Sequence, residues 1–193
     1  MRLLHIGTLV LSLALTACGG GGGGGSSSGP VTSTNTFDIR SGYTRLSASG
    51  FSKTLTVSGT CTGSFSLTSG AATTSTTFEG VAAFSGSSVA TLTLSNCTPA
   101  SNVSTTTRYF DTNYAPIGYN IVSGDYGVWA ATPTLPVAAK VGDVAVVGTI
   151  YKYTNSTKST SAGKQENSFV IEADTATTAI ANLISKTYNA SNI

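Results

Sequence analysis

From residue 55 onward apolar or small residues fall on every second position: Leu55, Val57, Gly59, Cys61, Gly63, Phe65 and Leu67, with Thr or Ser at most positions between them. A period of two is that of a half-buried strand. Gly59 and Gly63 are expected to bend this strand or break it into a hairpin, because an interior glycine marks a bulge or corner. A second alternation runs through Phe78, Gly80, Ala82 and Phe84, and a third through Ala90, Leu92 and Leu94, closed by Asn96, Thr98 and Pro99 around Cys97. Residues 144–153 are apolar on both parities, with Val144, Val146 and Ile150 on one and Ala145, Val147, Tyr151 and Tyr153 on the other. That pattern predicts a strand buried on both faces, at the centre of a sheet.

Between these lies the most aromatic stretch, residues 105–131, with turn signals at Ala115-Pro116 and Ser123-Gly124-Asp125 cutting it into strands. Tyr109, Tyr114, Tyr119 and Trp129 are the candidate ligand-binding residues, since rings offer flat apolar area with a polar handle; filling a core is their simpler role. Residues 132–136, with two prolines, predict a rigid connector. Residues 154–167, rich in Ser, Thr and Lys, predict a solvated loop or hairpin tip, and residues 168–172 return to strand. From Asp174 the pattern reads two ways. Ala176, Ile180, Leu183 and Thr187 make a helical stripe capped by Asp174, but the β-branched Thr177, Thr178, Ile180 and Ile184, and a hairpin-like sequence at 186–192, favour strand. The whole predicts an all-β domain, an antiparallel sheet arranged as a sandwich or partly open barrel.

The first residues follow different rules. Met1-Arg2 is a short positive head, and residues 6–15 are an apolar run too short to span a bilayer but suited to a signal peptide. The Leu15-Thr16-Ala17-Cys18 that closes it resembles the lipobox of bacterial lipoprotein precursors. The resemblance implies removal of residues 1–17, acylation of Cys18, and attachment to a membrane through that lipid. Gly19, where an Asp favours inner-membrane retention, implies the outer membrane of a Gram-negative bacterium, with periplasmic or surface exposure left open. Gly19 to Gly25 and the Ser-Gly sequence up to Pro30 have no side chains to bury, so residues 18–30 form a flexible, disordered tether of roughly 20 Å typical reach. Glycine-rich tethers of this kind are similar to those of surface-displayed lipoproteins. Residues 31–193 are then the globular domain.

Composition narrows the chemistry. Charged residues are 9% of the chain against about 25% in typical domains. No basic run appears, so nucleic acid is not an expected partner. The one histidine, His5, falls in the leader; a chain beginning at Cys18 has none, which removes Ser-His-Asp and Cys-His catalysis and histidine metal sites. With Cys18 acylated, Cys61 and Cys97 remain as an even pair in an oxidising compartment, where a disulfide is expected. Gly25, Ser27 and Gly29 match a nucleophile elbow, and Ser161 with Lys164 an S-x-x-K pattern, but neither has the flanking elements its chemistry needs. Asp111 with Asn113, or Glu172 with Asp174, would begin a calcium site without completing one. Neither cofactor nor metal is expected.

Phe110-Asp111-Thr112-Asn113-Tyr114, Lys140-Val141-Gly142-Asp143 and Glu172-Ala173-Asp174-Thr175-Ala176 resemble a group of uncharacterised lipoproteins of Gram-negative proteobacteria, over residues 109–191. Its members run on past this point, so the chain is expected to be truncated at its C-terminus; no activity comes with the resemblance. Three readings follow. The first is a non-catalytic outer-membrane lipoprotein whose β domain binds an envelope protein or glycan or maintains the envelope. The second is a half-barrel carrier of an apolar ligand. The third is a carbohydrate-active hydrolase using Asp111 and Asp125, which flank aromatic residues and would supply two carboxylates.

Overall fold

The computed structural model of the chain describes the backbone of residues 11–16 and all of residues 33–191; Cys18 and the glycine tether lie outside the described residues. One helix, α1 (Ile39–Ser49), precedes a long run of strands: β2 (Phe51–Val57), β3 (Gly63–Ser69), β4 (Thr74–Phe78), β5 (Val81–Leu94), β6 (Ser101–Phe110), β7 (Pro116–Ile121), β8 (Tyr126–Trp129), β9 (Val144–Tyr153), β10 (Ser161–Ala173) and β11 (Thr178–Tyr188). An edge strand, β1 (Leu11–Thr16), pairs antiparallel with β11. The order across the sheet is β1-β11-β10-β9-β8-β7-β6-β5-β3-β2, with β4 paired to β5 off this path. The all-β antiparallel expectation therefore holds, and the arrangement is one open sheet, not closed into a barrel.

The expected hairpin forms: β2 and β3 pair from Phe51↔Ser69 to Val57↔Gly63, with Gly59 and Gly63 both at positive φ at its turn. Cys61 in this turn is bonded to Cys97 beyond β5, with Cα atoms 5.6 Å apart. Asn96 reinforces the junction, accepting from the Thr62 amide at 2.7 Å and donating to the Thr60 carbonyl at 2.8 Å.

Several expectations are corrected. The alternation from Phe78 to Phe84 is two strands, because Glu79 (φ 50°) and Gly80 (φ 80°) make a two-residue turn between β4 and β5, and the second and third alternations join into the single 14-residue β5. β9 is an interior strand, but Val144 and Val146 are 68% and 80% exposed, since none of the described residues covers them. The solvated stretch ends at residue 160: residues 161–167 belong to β10, and Ser161 and Lys164 lie on a strand rather than a helix. The ambiguous segment is strand, with β11 matched to β10 over ten positions from Lys164↔Tyr188 to Ala173↔Ala179.

α1 was not anticipated. Asp38 caps it, accepting from the Ser41 amide at 2.8 Å and the Ser41 hydroxyl at 2.7 Å, and these bonds hold the Asp38 carboxyl below its usual range. Gly50 at φ 73° ends it, its amide donating to Leu46 at 2.9 Å. The segment before α1 is fastened to the β8–β9 connector by reciprocal Phe37–Ala139 backbone bonds of 2.8 and 3.0 Å. This seats α1 on one face of the sheet, where Phe37, Ile39, Ala139, Phe169, Ile171, Ala179 and Ala181 form the main core. A smaller cluster of Phe78, Ala83 and Tyr126, backed by Tyr109 and Val128, occupies the opposite face.

Candidate functional site

Strand pairing decides which side chains share the helix-covered face. Arg108 pairs with Tyr119, Tyr119 with Gly127, Trp129 with Ile150, and Ile150 with Gln165, so these residues point the same way from five consecutive strands. Beneath α1 they surround a cavity of about 240 Å³, open on one side, with Tyr43 of the helix, Phe110, Phe169 and Leu183 completing an apolar lining. It exceeds the roughly 150 Å³ of an apolar cavity that admits benzene. Two glycines make room for the rings around it. A Cβ at Gly127 would collide with the Tyr119 ring, and one at Gly148 would press on Trp129 at 3.2 Å.

The polar groups of this wall are few. Asn167 is buried, and its Oδ1 accepts from Gln165 Nε2 and Ser185 Oγ, both at 2.7 Å. Arg108 lies across the cavity from them. One of its Nη atoms donates to the Gly70 carbonyl at 3.1 Å, its guanidinium carbon sits 5.1 Å from the centre of the Phe110 ring, and its buried Nε has no hydrogen-bond partner. Burial pushes the Tyr43 hydroxyl up and pulls Arg108 below its ordinary value, each offset only in part by the other. Burial, with the Asp125 charge second, also raises Tyr119.

No family model, curated protein or solved structure matches the chain.

Of the four candidate ligand residues, Tyr119 and Trp129 face the cavity. Tyr109 borders it, but its ring stacks on Phe78 at 4.3 Å on the other side of the sheet, as strand alternation from Arg108 requires. Tyr114 stands apart in the β6–β7 loop, stacked on Phe84 at 5.3 Å and lining a neighbouring, more polar cleft of about 600 Å³ with Arg40 and Asp111. That cleft shares Tyr43, Pro116 and Leu135 with the cavity.

Asp111 and Asp125 are not brought together. Asp111 lies in the loop before β7, where its Oδ1 accepts from the amides of Asn113 at 2.8 Å and Ala115 at 2.9 Å. Asp125 lies in the turn after β7, 3.1 Å from Lys152 Nζ. The six residues of β7 separate the two turns by roughly 20 Å, far more than the 5 to 9.5 Å that paired glycosidase carboxylates span. Among the described residues no group of three or more His, Cys, Asp or Glu side chains is placed to hold a metal ion. Arg108 escaped the sequence reading because a lone cation in Thr105-Thr106-Thr107-Arg108 carries no motif; the available signal was its parity with Phe110, two positions on.

Proposed function

We propose that the chain is the precursor of an outer-membrane lipoprotein, acylated on Cys18, whose β domain is a non-catalytic binding module for a small apolar ligand. The observation that carries the binding reading is the cavity under α1: it is apolar, ringed by aromatic residues, and built on strands rather than on loops. Leu15-Thr16-Ala17-Cys18 and the glycines after it support the anchor and the leash. Between a carrier and a docking module for an envelope protein or glycan, the cavity favours the carrier, since a macromolecule would not enter 240 Å³. The hydrolase reading draws no support from Asp111 and Asp125, which lie at opposite ends of the six-residue β7, roughly 20 Å apart.

Two measurements test this. Cells fed a labelled palmitate should mark the protein, and Cys18→Ala should abolish the mark; labelling that persists in the variant would end the anchor reading. Protein extracted gently and examined by native mass spectrometry should carry bound small molecules, and Val147→Phe, which fills the cavity from β9, should lose them. An unliganded spectrum together with no binding of any apolar probe would end the carrier reading.

A further inference from the structure

The cavity contains a charge with no counter-charge. Among the described residues no carboxylate lies within ion-pair distance of Arg108, while Lys152, Lys158 and Lys164 each have one. Among the described residues one protein acceptor, the Gly70 carbonyl, meets the five N–H donors of its guanidinium, and the buried Nε meets none. Arg108 is half-buried and its Nε is enclosed without an acceptor, and a partly desolvated charge without a partner is unfavourable. Tyr43, which interacts electrostatically with Arg108, stays neutral, since burial raises it, and so supplies no negative charge. The Phe110 ring face offsets part of the desolvation, and beyond the one bond to Gly70 the edge of the guanidinium, where a carboxylate would bind, is left open.

We infer that the cavity takes a medium-chain carboxylate, its apolar body lying against Trp129, Ile150 and Leu183 and its carboxylate on the guanidinium of Arg108. This rests on the binding-module reading and adds to it the charge and class of the ligand. An acyl chain of about ten carbons suits a space only moderately larger than one that admits benzene, and a two-chain phospholipid does not. The contacts of Arg108 within the fold are its bond to Gly70, in the segment that crosses Gly86 of β5, and the face of the Phe110 ring.

The test titrates decanoate, decanol and decylamine into the full-length protein and follows the emission of Trp129, its one tryptophan. Decanoate should bind roughly tenfold or more tighter than decanol, with decylamine weakest. Arg108→Gln should weaken decanoate by roughly ten- to a hundredfold and leave decanol nearly unchanged, while Arg108→Lys should keep the preference for the acid. If Arg108→Gln does not fold, the ranking of the three probes on the unaltered protein and on Arg108→Lys decides the matter. Decanol binding as tightly as decanoate, or decanoate binding unchanged in Arg108→Gln, overturns the inference and leaves the cavity reading standing. Failure of all three probes to bind overturns both.

Discussion

The hydroxyl of Tyr126 donates to Glu79 Oε1 at 2.6 Å, tying β8 to the turn that closes the β4–β5 hairpin. Glu79 Oε2 also takes Lys158 from the β9–β10 loop, so one carboxylate joins three parts of the chain.

Acid stability should report this junction. The bond to Lys158 first, then that to Tyr126, holds Glu79 below the usual glutamate range. A depressed carboxylate contributes stability that is complete above its unfolded value, near pH 4.3, and is lost as pH falls through the lower folded value. Urea unfolding of Glu79→Gln should therefore show a loss of about 1 kcal/mol at pH 7 and a flatter decline below pH 5 than the parent. At the alkaline end Tyr126, raised by burial and by Glu79, adds a term that is complete below about pH 10 and lost above it.

A second prediction concerns the opposite face of the sheet. The Phe78 ring lies over Gly118 of β7, and a Cβ there would collide with it. Gly118→Ala should destabilise the domain by about 1 to 3 kcal/mol through overpacking, read as a lowered melting temperature. Phe78→Leu alone should also destabilise, but combined with Gly118→Ala it should lose less than the sum of the two, since the collision with the ring is relieved while that with the Gly127 carbonyl stays.

The Cys61–Cys97 bond closes a loop with a sequence separation of 36 and clamps two neighbouring turns. Replacing both residues by Ser should lower stability by about 3 to 4 kcal/mol in the chain-entropy treatment. The thiol count of the unfolded, unreduced protein checks the premise: labelling of Cys61 or Cys97 without reductant would contradict it.

The strands were legible where alternation met a turn signal. Gly59 and Gly63 marked the β2–β3 hairpin, and Pro116 and Ser123-Gly124-Asp125 bounded β7. Three features were not legible, each for a physical reason. α1 presents Ile39, Tyr43 and Leu46 on a helix whose buried residues include Ser47, so its apolar stripe is faint and only Asp38 and Gly50 announce its ends. Glu79 adopts the positive φ that Asn or Asp normally supplies in a two-residue turn, so the Phe78–Phe84 alternation read as unbroken. The polar run 161–167 folds as strand because its inward residues, Gln165 and Asn167, satisfy one another. The cavity was foreshadowed only by Tyr119 and Trp129: a void left between a helix and a sheet has no sequence period.

The order of strands carries a consequence for assembly. From β2 to β11 each strand on the main path pairs with a neighbour in sequence, apart from the short step over β4, so the sheet can zip one local hairpin after another. β1 alone joins chain ends on the order of 160 residues apart, which adds about 3 kcal/mol of loop-closure entropy relative to a tight hairpin. Among the described strands it comes earliest in the chain and is the last able to dock, and none of the other described pairings depends on it. A chain starting at Cys18 should thus keep the amide-exchange protection of β5, β6, β9 and β10, with faster exchange confined to β11 along Thr178 to Leu183; loss of protection throughout would show that the first strand is needed to complete folding.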